Sequence, residues 1–196
     1  MIIGHYASAL IPHTRDRNAP LSLYLFAAIM QDLLWLLFAL TGLEPTSPSS
    51  VLDASFSKLR VEMTYSHDLS SALGWALAAS ALGWFVTRQR VTAMWCAALA
   101  AGHELLDLLS GFRHHVAGPH TAAVGFNLYG TAPYLALVIE AVFGAAMVYA
   151  YTLSERRQGR ALPARKTLAL YTLFVFGALV AVPGAERSAS DWLQGL

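Results

Sequence analysis

AALAAGHELLDLLSG, residues 97–111, is composed like the middle of a lipid-embedded helix, with alanine and leucine dominating. Yet His103, Glu104 and Asp107 fall inside it, within about one helical turn of one another. A charge at the centre of a bilayer costs about 2.5–3.5 kcal/mol on insertion scales. Such groups persist in hydrocarbon only where they face one another, a cavity or a bound ion. The reading of this stretch decides between a soluble helix with a polar face and a membrane span carrying a site.

The rest of the chain favours the span. Of 196 residues, 56% are hydrophobic and 13% charged, against about a quarter charged in an average soluble domain. The mean hydropathy is +0.49. Apolar runs over 21–40, 69–86, 91–109, 133–151 and 167–182 each approach the roughly 20 residues that a helix needs to cross about 30 Å of hydrocarbon. The expected fold class is all-α: a polytopic membrane helical bundle of about five transmembrane helices plus a short N-terminal apolar helix over 1–13. That first segment, MIIGHYASALIP, is too short to span alone, and Pro12 is expected to end it. It either lies at the interface or inserts part-way, and it lacks the basic n-region of a signal peptide.

One integral membrane domain over 1–196 is expected, with extracytoplasmic loops at 43–66 and 111–132 and a basic cytoplasmic loop at 154–166. The distribution of cations sets this orientation. Arg15, Arg17, Arg88, Arg90, Arg156, Arg157, Arg160, Arg165 and Lys166 fall on one side, and Lys58, Arg60, Arg113 and Arg187 on the other. The N-terminus is therefore expected in the cytoplasm and the C-terminus outside it. Cys96 is the single cysteine, which excludes an internal disulfide and a CxxC metal site. A net charge of +1 says nothing about nucleic acid, and no basic patch is interleaved with aromatics, so no nucleic-acid partner is expected. In VLDASFSKLRVEM, residues 51–63, apolar side chains recur at Val51, Leu52, Phe56, Leu59 and Met63. That pattern fits a short amphipathic surface helix, and an ordinary ordered loop is the equal alternative.

Four acids fall within the spans: Asp32, Glu104, Asp107 and Glu140. His103 joins them within the third span, and His67 stands at the start of the second. His103 and Asp107, four residues apart, share a helix face one turn apart. They offer one nitrogen and one carboxylate to a cation, ligand types that suit zinc, iron or manganese. Followed along their helices, His67, His103, Asp107 and Asp32 reach similar depth in the outer half of the membrane. His5 joins them only if the N-terminal segment inserts. Each has a bland alternative, a helix-to-helix hydrogen bond. Glu140 reads equally as a structural partner, and His114 as a solvated loop residue.

The motif order also resembles a known family. Gly4-His5, Gln31-Asp32, Tyr65-Ser66-His67 and Gly102-His103 with Asp107 are similar to the "GH", "PD", "THS" and "SHxxxD" elements of the membrane-bound, metal-dependent hydrolases that include the LexA-regulated inner-membrane proteins. A permease-like subgroup of uncharacterised proteins carries a "VGLGLWN" segment, which VGFNLYG, residues 124–130, resembles, and Glu140 falls where that subgroup has "LALE". This chain departs from the pattern at Gln31, Trp35 and Asp68 and in GFRHHVAGPH, residues 111–120. The resemblance implies a bacterial inner-membrane protein with an inward-facing divalent transition metal, zinc first and iron or manganese as alternatives. It implies His5, Asp32, His67, His103 and Asp107 as ligands.

On this reading the chain is a metal-dependent hydrolase of a lipid or phosphoester at the outer face of the membrane. A metal-activated water is the nucleophile, and Glu104 or Asp68 is the general base, each lying next to a ligand. Arg113 and His114 would hold an anionic headgroup. Membrane lipid is the expected partner, and a homo-oligomer is allowed. A proton- or cation-coupled permease using Asp32, Glu104, Asp107 and Glu140, and an accessory protein whose polar cluster only fixes packing, are the alternatives.

Overall fold

The computed structural model describes residues 1–195; Leu196 and the side chain of Val51, one of the apolar positions of 51–63, lie outside the described residues. Helix accounts for 67% of residues and strand for 4%, so the expected all-α class holds. The first segment forms two short helices, α1 (Ile2–Ser8) and α2 (Leu10–Arg15). Pro12 does not end the segment, because it sits within the first turns of α2, where a missing N–H costs no intrahelical bond. Then come α3 (Leu21–Thr41), α4 (Leu69–Thr87), α5 (Arg90–Ser110), the single turn α6 (Leu128–Thr131) and α7 (Pro133–Arg157). The last long helix begins as α8 (Ala164–Tyr171), widens into a π-helical turn at Thr172–Phe176, and continues through α9 (Gly177–Leu179) and a 3-10 turn at Val182–Gly184. A short α10 (Ala189–Gln194) follows.

Among the described residues, four helices are long and apolar enough to cross a membrane: Leu21–Thr41, Leu69–Thr87, Pro133–Arg157 and Ala164–Gly184. Only 11% of the last one's apolar window is buried within the chain. Side chains such as Leu40, Phe85 and Met94 are at least 70% exposed, surface that lipid covers at no cost and water does not. The count departs from the expected five at α5. It has 21 residues, but Arg90, His103, Glu104 and Asp107 dilute its apolar character.

Small residues set the packing. Ala27, Ala28, Ala76, Ala79, Cys96 and Ala100 form the shared core of α3, α4 and α5, and such residues let helix backbones approach closely. At Gly83 of α4 an added Cβ would meet Cys96 Sγ of α5 at 2.9 Å. At Gly144 of α7 it would meet the Phe174 carbonyl oxygen at 2.9 Å, so α7 and the π-helical turn are in backbone contact. At the end of the bundle near the α2–α3 loop, Asp16 accepts from Tyr24 Oη at 2.6 Å and Thr92 Oγ1 at 2.5 Å. There too, Glu155 pairs with Arg17 at 2.6 Å and Arg160 at 2.8 Å.

The segment 51–63 is the loop alternative. A 3-10 turn at Val51–Asp53 is followed by extended chain, and β2 (Arg60–Val61) pairs antiparallel with β1 (Thr46–Ser47). Phe56 N and Ser57 N donate to Gly184 O and Ala185 O at 3.0 and 3.1 Å. These bonds to the end of the last long helix compete with helical ones. The loop after α5 carries a second two-residue ladder, β3 (His114–His115) with β4 (Ala123–Val124).

Candidate metal centre

Asp32 of α3, His67 just before α4, and His103 and Asp107 of α5 converge, their ligand atoms all within 4.8 Å of one another. His103 is held by the sequence of its neighbour: Nδ1 lies 2.8 Å from the Ala28 carbonyl oxygen. A carbonyl only accepts, so Nδ1 carries the proton and Nε2 presents its lone pair. His67 is fixed by a longer relay. Its Nδ1 is 2.8 Å from Ser66 Oγ, which donates its one proton to Glu44 Oε2 at 2.6 Å. The serine oxygen is then left to accept from His67 Nδ1, and His67 Nε2 is also a lone pair. Glu44 is anchored by the backbone N–H groups of Tyr65 and Ser66 at 2.6 and 2.9 Å.

The two Nε2 atoms face each other at 3.2 Å. Two bare lone pairs repel at that distance, and two carboxylates add negative charge. Asp32 Oδ1 is 3.6 Å from His67 Nε2 and 3.7 Å from His103 Nε2. Asp107 Oδ2 is 3.8 and 3.6 Å from the same atoms. A tetrahedral ion with bonds of about 2.0–2.2 Å sets its ligands about 3.3–3.6 Å apart. The donor set, two nitrogens and two oxygens with the remote nitrogen of each imidazole hydrogen-bonded, fits a divalent cation. A proton is the competing occupant. Burial works against charge on His67, but the Asp32 and Asp107 carboxylates near its ring outweigh it, so its pKa is raised.

The other expected residues surround this group. His5 is buried, so the N-terminal segment packs into the helix bundle beside this group. Its ring stacks on His103 with centroids 3.6 Å apart, and its Nε2 lies 3.1 Å from Asp107 Oδ1, the oxygen turned away from the two histidines. His5 therefore backs a ligand and stands outside the four-residue group. The Met1 amino nitrogen contacts the same Asp107 oxygen. Glu140 explains how α1 is placed. Its carboxylate accepts from Ile2 N at 3.0 Å and Ile3 N at 2.7 Å, and from the Tyr129 hydroxyl.

Glu104 is buried with both carboxylate oxygens unpartnered among the described residues. His114 is buried too, against the solvated default, with neither ring nitrogen partnered among the described residues. It stacks on His67 at 5.3 Å between centroids, and burial pushes its pKa down to about 4. Asp68 takes the N-cap position of α4, yet its carboxylate turns to the following loop and accepts from His115 N at 3.1 Å and Gly118 N at 2.5 Å. Arg113 is exposed. Among the four clustered residues Asp32 is the open one, its side chain 34% exposed where the others are under 10%. Sequence reasoning missed Glu44; an acid two residues past the helix-ending Gly42 carries no periodic signal.

Comparisons of this chain with protein-family models, with curated proteins and with solved structures return no match.

Proposed function

We propose that the chain is a metal-dependent hydrolase of the bilayer, acting on a lipid or phosphoester, with Asp32, His67, His103 and Asp107 as the ligands of one divalent ion and zinc as the first choice. The facing Nε2 lone pairs at 3.2 Å, between two carboxylates, carry this reading. A bound ion of this type polarises a scissile bond and brings the pKa of water towards 7. Glu104 is the proton acceptor, since it adjoins His103 in sequence and its two oxygens are unpartnered among the described residues. His114, equally unpartnered, orients the anionic part of the substrate, with Arg113 above it at the surface. Asp68, occupied by two backbone N–H groups, holds the loop that carries His114. Asp32, half-buried where the other three are buried, marks the side from which substrate arrives.

The reading extends to topology. We take α5 as a fifth span whose polar residues face the centre, the arginine-rich ends as cytoplasmic and the centre as lying towards the outer face of a bacterial inner membrane. The cation asymmetry and the motif order support this. Glu140 weakens the permease alternative, because three donors already engage it and remove it from a relay.

Elemental analysis of the detergent-purified protein beside His103→Ala and Asp107→Ala tests the centre. One transition metal per chain, lost in both variants, supports it and justifies a screen of phosphoester and lipid substrates with and without chelator. Metal-free, folded wild type after reconstitution with zinc, iron and manganese would leave a packing cluster that shares a proton.

A further inference from the structure

A separate feature lies on the opposite side of α1. Two apolar cavities of about 420 and 380 Å³ share Leu10, Leu21, Leu170 and Leu173 and so form one crevice. Its walls are the first turns of α3 and the exposed face of α8, and α1 and α2 form its floor. One end reaches Ile3, Tyr6 and Phe174. The other reaches Tyr151, Leu162 and Lys166. From Lys166 to Phe174 the helix rises about 12 Å, at about 1.5 Å per residue. A narrow slot of that length, lined by leucines and open on a face that lies in lipid, has the shape and chemistry of an acyl-chain site.

The charge at its end selects the headgroup. Lys166 lines the crevice there, next to exposed Arg165. Glu155, at the same end of the bundle, is already taken by Arg17 and Arg160. No acid lies in the first turn of α8. Among the described residues neither cation is ion-paired, and basic residues at the headgroup level attract anionic lipid.

We propose that this crevice binds an anionic phospholipid, with one acyl chain along Leu21, Leu170 and Leu173 and the phosphate on Lys166 and Arg165. The occupant bridges α3 and α8 and presses on the floor helix that brings His5 to Asp107. The proposal is independent of the metal reading, since no residue of the crevice belongs to the centre.

The test is lipid titration of the detergent-purified full chain, followed by native mass spectrometry and by thermal melting. Dioleoyl phosphatidylglycerol is compared with dioleoyl phosphatidylcholine. The expected result is retained phosphatidylglycerol and a raised Tm, with at least tenfold weaker binding of phosphatidylcholine. Lys166→Gln is expected to weaken phosphatidylglycerol about tenfold and Leu170→Trp to block it. Arg90→Gln, which removes the same charge at the α4–α5 turn, is expected to leave binding unchanged. Far-ultraviolet circular dichroism confirms that each variant retains its helix. Equal binding of the two lipids overturns the headgroup assignment. An Arg90→Gln effect as large as that of Lys166→Gln reduces the site to diffuse charge, and absence of retained lipid removes the site altogether.

Discussion

Replacing Ser66 with alanine tests the tautomer argument without touching a ligand. The serine oxygen is the acceptor for His67 Nδ1 at 2.8 Å, and its own proton is spent on Glu44. In the variant, His67 keeps a buried N–H without a partner, at a cost of about 1–3 kcal/mol. The imidazole escapes that cost by moving its proton to Nε2 or by turning, and either response withdraws the lone pair from the cluster. The penalty is therefore levied on metal binding. Outer partners of ligating histidines are typically worth 10–100-fold in affinity, or about 1.4–2.7 kcal/mol. The assay is competition for zinc with a chelator of known affinity, using the detergent-purified protein. Ser71→Ala is the control, because Ser71 Oγ donates to the nearby Thr64 carbonyl, at 2.8 Å, and touches no ligand. Unchanged affinity in Ser66→Ala, alongside a His103→Ala protein that has lost its metal, would refute the tautomer reasoning and leave the centre standing.

Glu140→Ala removes the acceptor of Ile2 N, Ile3 N and the Tyr129 hydroxyl; hydrogen exchange at Ile3 is expected to rise at least tenfold, and unchanged protection would show that α1 is held by apolar packing alone. Gly144→Ala places a methyl 2.9 Å from the Phe174 carbonyl oxygen. Overpacking of this kind costs about 1–3 kcal/mol, so the Tm in detergent is expected to fall by several degrees, and an unchanged Tm would contradict the close approach of α7 and the π-helical turn. Lys58 and the N-cap at Ser188 hold the Asp191 carboxyl down at about 2. A depressed carboxylate contributes stability above its unfolded pKa and loses it as pH falls through the folded one. The fluorescence of Trp192, which donates to Pro183 O at 3.0 Å, is thus expected to hold to about pH 4 and change towards pH 2, measured as the difference from Trp192→Phe. A midpoint at or above pH 4 would count against the pair.

Much of the fold was legible because the bilayer imposes length and polarity together. The apolar run at 21–40 became Leu21–Thr41 and that at 69–86 became Leu69–Thr87. The 51–63 segment misled in its helical reading because five apolar positions also suit an extended loop once its N–H groups find acceptors near residue 184. Convergence of Asp32, His67, His103 and Asp107 followed from direction and depth along three helices. His5 was undecidable from sequence, since the packing of α1 into the bundle depends on Glu140, some 135 residues away in the chain. Burial of His114 depends likewise on the β3–β4 ladder and on a carboxylate from α4's cap. Long-range contacts of this kind leave no local period.

The π-helical turn at Thr172–Phe176 has a mechanical consequence. Its i→i+5 bonds hold more chain per turn than an α-helix does. Tightening that turn to regular α-helix at unchanged chain length would rotate everything beyond it by about 100°, the angle of the one extra residue it absorbs. Gly184 and Ala185, whose carbonyls receive Phe56 and Ser57, would swing away from the loop that leads into His67. One residue in a helix remote from the centre thus sets the phase between the last helix and the strand of chain that delivers a ligand.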